Sequence, residues 1–195
     1  GYQGRQGPTL LSGTGGDKKH LIIVATADRG LCGAFNSSIV RAARKKIKEL
    51  QAEGKSVKLF CIGKKARDLL QGEFKSIMVG VKIDIAKKAA RYEFSEGVAE
   101  EVLAAFEREQ IDVVSIYYNQ FKSVISQVVT HQQLIPLQVK EVAESGNDTP
   151  YEYEPEEEEI LKDLLPRNFA MQIFSALLEN NAGFYGAQMN AMENA

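Results

Sequence analysis

Hydrophobic residues in the first part of the chain alternate between short continuous runs and longer segments with a helical repeat. Residues 20–25 form a mostly apolar run of the kind found in strands that are buried on both faces. A turn follows at residues 28–33. Over residues 39–50 the apolar positions recur every three or four residues, which predicts an amphipathic helix capped by the polar side chains of residues 36–38.

The same alternation continues as far as residue 129. It predicts further strands and helices, namely strands at 57–62, 76–81, 111–118 and 120–129, and helices at 64–70 and 94–109. Strands that alternate with helices along a chain favour an α/β fold. We therefore expect a three-layer, Rossmann-like domain with a largely parallel sheet, followed by the start of a long C-terminal coiled-coil helix.

Changes in composition divide the chain into four segments. We expect a flexible, Gly-rich linker at residues 1–19, an α/β globular domain at 20–142, a polar loop at 143–154 and a helical segment at 155–195. Pro166 is expected to interrupt that helix. The chain begins at Gly1 rather than Met and stops without a helix-ending signal, so we expect both ends to be cut from a longer protein.

Apolar residues of the C-terminal helix follow a coiled-coil spacing of three and four from Met171 to Met192. Packing on the chain's own sheet accounts for the first part of this pattern. The distal part is better explained by a partner helix, and its residues are Leu178, Ala182, Tyr185, Met189 and Met192.

Composition and motifs argue against several kinds of function. The 24 Lys and Arg residues nearly balance the 26 Asp and Glu residues, which excludes a strongly basic nucleic-acid-binding protein. Gly30 and Gly33 stand where a dinucleotide site would lie, but the complete fingerprint G-x-G-x-x-G is absent and a tight turn explains them better. The histidines lack partners at metal-ligand spacing. We therefore predict a protein that uses neither a cofactor nor a metal and that is not itself an enzyme.

Several motifs, taken together and in order, resemble the gamma-subunit family of F-type rotary ATP synthases. Residues 26–36 read TADRGLCGAFN, close to the family's S-D-R-G-L-C-G-G-L-N, and residues 118–123 read YNQFKS, matching Y-N-x-F-x-S. LLPR at 164–167 and QIFSALLE at 172–179 continue the resemblance into the C-terminal helix. The sequence departs at 183–189, where GFYGAQM replaces the family's S-E-x-x-A-R-M. We expect Gly183 and Gly186 to loosen the helix by about 1 kcal/mol each relative to Ala.

The resemblance implies a non-catalytic rotor subunit of the central stalk in a proton-translocating ATP synthase. Such a subunit transmits torque between the membrane c ring and the catalytic alpha/beta hexamer. The implied partners are the alpha, beta, epsilon and c subunits, with one copy of the chain per complex. Membrane contact would occur only through the c ring, on the cytoplasmic face of a bacterial cell membrane or the matrix face of the mitochondrial inner membrane.

Two groups of site residues accompany this resemblance. The turn after the first strand lies at the rim of the sheet, so we expect it to contact the hexamer through Asp28, Arg29, Leu31 and Cys32. The distal apolar residues of the C-terminal helix would form the shaft seam, covered by an N-terminal helix of the longer chain. Two alternatives remain open: a Rossmann-like oxidoreductase that binds nucleotide at Gly30 and Gly33, and a stand-alone α/β binding module whose C-terminal helix does not pair.

Overall fold

The computed structural model describes residues 8–137 and 155–195. Within these residues, five strands form one sheet: β1 (Lys19–Ala25), β2 (Ser56–Ile62), β3 (Met78–Lys82), β4 (Val113–Ser123) and β5 (Ser126–Ile135). The spatial order is β3-β2-β1-β4-β5, and every neighbouring pair is parallel except β4 and β5. The prediction of an α/β fold with a largely parallel sheet is therefore confirmed.

Helices cover both faces of the sheet and give the expected three layers. They are α1 (Pro8–Ser12), α2 (Phe35–Ala52), α3 (Lys64–Phe74), α4 (Tyr92–Arg108) and α5 (Pro155–Glu193). Helices α2 and α3 share one hydrophobic core with the sheet, whereas α4 and the middle of α5 share the other. The long C-terminal helix that the sequence predicted is thus present as α5.

Strand β1 lies at the centre of the sheet and explains the continuous apolar run near its start. Leu21 and Ile23 point into the core beneath α4 and α5, while Ile22 and Val24 point into the core beneath α2 and α3. All four side chains are at most 1% exposed. A strand covered on both faces needs apolar residues at every position, because neither side meets water.

The single strand predicted at residues 120–129 is wrong, because the chain reverses there. Strand β4 continues to Ser123, a turn contains Val124 and Ile125, and β5 returns antiparallel from Ser126. Tight hairpin turns are usually recognised by Gly, Asn or Asp. This turn carries none of them and holds an isoleucine that is 76% exposed, so its sequence resembles a strand.

Three other expectations differ from the observed elements. Helix α3 continues past Gly72 to Phe74, whose buried ring gives the last turn a core contact. Helix α5 runs without a break through Pro166. Residues 8–12 of the predicted linker form α1, whose Leu10 is only 2% exposed. The predicted loop at 143–154 lies outside the described residues.

Candidate functional site: the joint between the C-terminal helix and the sheet

The carboxyl ends of β1 and β4 form the place where open α/β sheets usually bind ligands. The chain leaves β1 toward β2 on one side and later returns to β4 on the other, which creates a crevice between the two strand ends. In this protein α5 passes through that crevice. Leu177 packs in the core beside α4, whereas Phe184 packs in the core beside α2, so the helix crosses the sheet edge between them.

Asn180 lies where α5 crosses the edge, and its side-chain amide bonds to both strand ends. The Asn180 Oδ1 atom accepts a hydrogen bond from the Asn119 backbone N–H at 3.0 Å. Its Nδ2 atom donates to the Thr26 carbonyl oxygen at 3.3 Å. Asn180 is only 3% exposed. The sequence pattern did not single out this residue, because it stands between Glu179 and Asn181 and polar residues of an amphipathic helix are usually assigned to the solvent side.

The crevice left beside α5 is too small for a nucleotide. Its lining includes Asp28, Arg29, Ile85, Asn181 and Phe184, and its free volume is about 20 Å³. That volume holds about one water molecule. Gly30 and Gly33, which suggested a dinucleotide site, do not line this crevice. Gly33 lines a separate, open depression of about 420 Å³ between the loop after β1, the β4–β5 hairpin and the end of α5.

Asp28 begins the loop after β1, and its carboxylate binds three backbone N–H groups of the same chain. Oδ1 accepts from Lys64 at 2.9 Å and from Asp84 at 3.1 Å, and Oδ2 accepts from Ile85 at 2.7 Å. The bond to Lys64 reaches the first residue of α3, where the preceding Gly63 offers no capping side chain. Asp28 thus joins the loop after β1 to the segments that follow β2 and β3.

Arg29 and Leu31 occupy the outer side of the same loop. The Arg29 guanidinium carbon lies 5.7 Å from the centre of the Phe184 ring, in a cation–π arrangement with α5. Leu31 is 86% exposed and has a φ of 56°, in the left-handed region that L-residues rarely adopt. These two side chains are therefore available to a partner on the surface.

Cys32 and Asn36 close the loop from the inside. Cys32 is 2% exposed, and burial raises the pKa of its thiol. The Asn36 side chain accepts from the Ala27 N–H at 2.9 Å and donates to the Arg29 carbonyl at 2.9 Å. The prediction that residues 36–38 cap the helix is wrong, since α2 begins at Phe35 after an N-cap residue without a side-chain bond. Asn36 instead holds the loop against the helix.

The predicted seam residues lie together on the outer side of α5. Leu178 is 39% exposed, Tyr185 44%, Met189 52% and Met192 67%, and Ala182 is also exposed. The opposite side of the helix is buried, with Ile173, Leu177, Phe184 and Ala187 each at most 8% exposed. Helix α5 therefore carries two apolar sides, one that packs on the sheet and one that is open in the described part of the chain.

Gly183 and Gly186 allow the β4–β5 hairpin to approach α5 closely. A Cβ atom at Gly183 would lie 3.3 Å from the Cγ of Gln127. At Gly186 it would lie 3.2 Å from the carbonyl oxygen of Val124 and 3.3 Å from Cε2 of Phe121. Glycine at these two positions therefore makes room for close packing between α5 and the hairpin. This effect is separate from the low helix propensity of glycine, on which our expectation was based.

The described residues contain neither a metal-binding cluster nor a helix suited to cross a membrane. No group of three or more His, Cys, Asp or Glu side chains is placed to hold a metal ion. Among the helices described, none combines the length and the apolar character needed to cross a membrane.

Comparison with known proteins identifies close relatives of this chain. Residues 3–195 match the family model described as ATP synthase. The ATP synthase gamma chain of Rhodopseudomonas palustris strain TIE-1 is 53% identical over 189 residues, covering 96% of this chain and 65% of that protein. The gamma chain of Bradyrhizobium diazoefficiens is 52% identical over 189 residues, with 96% and 64% covered. This chain therefore spans slightly less than two thirds of the length of these relatives.

The chain is also similar in fold and sequence to solved structures. One of these is a chain from the cryo-EM structure of the central stalk and c ring of mitochondrial ATP synthase from Tetrahymena thermophila. The TM-score is 0.72 and the sequence identity is 30%, with 94% of this chain and 79% of the other covered.

Proposed function

The chain belongs to the ATP synthase gamma-chain family, and from this premise we propose that it forms the globular part of the central-stalk rotor. In this role it binds no nucleotide and catalyses no reaction. It carries torque between the c ring and the shaft, whose rotation changes the catalytic sites of the alpha/beta hexamer. One copy serves each complex, together with alpha, beta, epsilon and c subunits.

The arrangement of α5 on the sheet is the main support for this proposal. This helix spans 39 residues, and its middle is fixed to the sheet by buried apolar contacts and by the Asn180 bonds. Beyond the joint it carries an apolar strip that the described residues leave exposed. A helix that is anchored in its middle and apolar along its free side fits a shaft that a second helix covers.

We further propose that the loop after β1 contacts the hexamer through Arg29 and Leu31, which are both exposed. In that arrangement Asp28 and Cys32, which we expected to touch the partner directly, give the loop its shape from within. Attachment to the membrane then occurs only through the c ring, on the cytoplasmic face of a bacterial cell membrane or the matrix face of the mitochondrial inner membrane.

Assembly provides the test of this function. The full-length subunit is co-expressed with the other ATP synthase subunits, and native mass spectrometry of the purified complex should find one copy bound with epsilon and the c ring. The variants Arg29→Ala and Leu31→Ala should lower ATP-driven proton pumping while the circular dichroism spectrum is retained. Arg41→Ala, at an exposed arginine on α2, is the matched control. A chain that joins no complex with these subunits would refute the proposal.

A nucleotide titration separates the proposed rotor from the oxidoreductase alternative. Because α5 fills the crevice at β1 and β4, we expect neither NAD nor ATP to bind at micromolar concentration. Saturable binding that is lost on Gly30→Val would favour the enzyme instead.

A further inference from the structure

The ladder between β1 and β4 opens at the point where α5 crosses it. The two strands pair in parallel from His20 opposite Val113 to Val24 opposite Tyr117. Continued in this register, Thr26 would stand opposite Asn119. The β1–β4 pairing stops before this pair, and the Thr26 N–H bonds on the other side of β1, to the carbonyl oxygen of Ile62 on β2 at 2.8 Å.

The Asn180 amide connects the two strand ends beyond the last ladder pair. It accepts from the N–H of Asn119 and donates to the carbonyl of Thr26, so it offers one acceptor and one donor as a peptide group would. Both atoms belong to buried residues, for Thr26 is 0% and Asn119 3% exposed. Without the amide, two buried backbone groups would lose their partner, which is costly.

We propose that Asn180 is the positioning residue that fixes the rotation and axial position of α5 on the sheet. The inference rests on the proposed rotor function, in which this joint carries the torque. Apolar contacts around α5 are non-directional and tolerate small rotations of the helix. Hydrogen bonds have preferred distances and angles, and here they reach the backbones of two different strands. A single side chain therefore fixes the helix relative to the ends of both β1 and β4.

The chemistry of an amide distinguishes Asn180 from close substitutes. Leucine has a similar size but can make neither bond. An ionised aspartate can accept from the Asn119 N–H, while its second oxygen faces the Thr26 carbonyl and repels it. A protonated aspartic acid can donate to that carbonyl and so reproduces both bonds. The next residue, Asn181, is half-buried on α5 and lines the same crevice, which makes it a matched control.

The first experiment measures coupling in the whole complex. Full-length subunits with Asn180→Leu or Asn181→Leu are assembled with the other subunits in sealed vesicles. For Asn180→Leu we expect ATP hydrolysis within twofold of wild type and protons pumped per ATP lowered at least fivefold. Asn181→Leu should change both within twofold. If Asn180→Leu assembles and pumps within twofold of wild type, the inference fails while the rotor function stands. If the wild-type subunit does not join the complex, the rotor function is refuted instead.

The second experiment uses pH and keeps the inference testable if Asn180→Leu does not fold. Hydrogen-exchange protection of the Asn119 amide is measured in Asn180→Asp, with exchange corrected for its intrinsic pH dependence. At pH 8 we expect protection at least tenfold lower than wild type, because repulsion between the carboxylate and the Thr26 carbonyl moves the side chain away from both strand ends. At pH 5 we expect recovery to within threefold, because burial at this position raises the pKa of the introduced carboxyl above 5 and the protonated acid donates to Thr26. The charged and titratable groups nearby are Asp28 and Arg29 in the loop after β1, Tyr118 on β4 and Glu179 on α5.

Asn181→Asp places a carboxyl group among the same neighbours, so it controls for their titration. It should show no recovery between pH 8 and pH 5. The same recovery in Asn181→Asp, or none in Asn180→Asp, overturns the inference.

Discussion

Replacing Asp28 by alanine should destabilise the domain more than any other single change in the loop after β1. The carboxylate is the acceptor for three backbone N–H groups, which belong to Lys64, Asp84 and Ile85. Alanine removes all three bonds at once. It also removes the negative charge at the N-terminus of α3, where the helix dipole favours an anion.

The size of this effect follows from the partners and their exposure. A hydrogen bond to a charged group contributes about 1.5–3 kcal/mol when it is shielded from water. The bond to Ile85 is partly buried, whereas the bonds to Lys64 and Asp84 lie at exposed positions where water can replace the carboxylate. Counting the first near the middle of that range and the other two at about 0.5 kcal/mol each, we expect a loss of about 3 kcal/mol.

Urea unfolding followed by circular dichroism measures this loss as a shift of the midpoint at constant slope. Arg29→Ala is the control from the same loop, since it removes only a cation–π contact of about 0.5–1 kcal/mol. Hydrogen exchange adds a local readout, because the Lys64 and Ile85 amides should lose protection in Asp28→Ala. A loss below 0.5 kcal/mol, or a larger loss in Arg29→Ala, would show that Asp28 does not hold these segments together.

Three further predictions concern single groups in the structure. Gly63→Ala should destabilise by roughly 3 kcal/mol in urea unfolding, because φ is 108° and a Cβ would lie 2.8 Å from the Thr26 carbonyl oxygen. Burial lowers the pKa of both His20 and His131 from the ordinary value of 6.5. The unfolded chain therefore binds protons first, and the free energy of unfolding should fall as the pH is lowered through 6.5. Burial also raises the pKa of the Cys61 thiol to about 12, so iodoacetamide at pH 8 should label it only after unfolding.

Matched variants provide controls for the glycine and histidine effects. Gly97→Ala, in a helix and with open space around the added Cβ, should instead stabilise by about 0.5–1 kcal/mol. If Gly63→Ala leaves the free energy of unfolding unchanged, the backbone at this position can adjust to the added Cβ. Replacing both histidines by glutamine should flatten the pH dependence near 6.5, and an unchanged slope would assign it to carboxylates. Rapid labelling of the native protein would show that the thiol reaches water without unfolding.

The sequence determined the elements whose signals are local. Strand β1 and helix α2 were recognisable because burial on both faces requires a continuous apolar run, and burial on one face requires a repeat of three and four. The motif at residues 26–36 likewise indicated the loop at the end of β1 as part of the candidate site. Each of these patterns lies within one short segment, so it could be recognised without knowing which distant residues pack against it.

Only the tertiary structure decided what the polar side chains at the joint do. Asp28 bonds to residues 36 to 57 positions away, and Asn180 bonds to Thr26 across 154 positions. The hairpin turn at Val124 and Ile125 is a similar case, because its apolar residues follow a strand pattern. A hydrogen bond needs two groups that come together in the folded chain, and the sequence around one group does not identify its distant partner. The role of Asn180 is therefore visible only where α5 crosses the sheet.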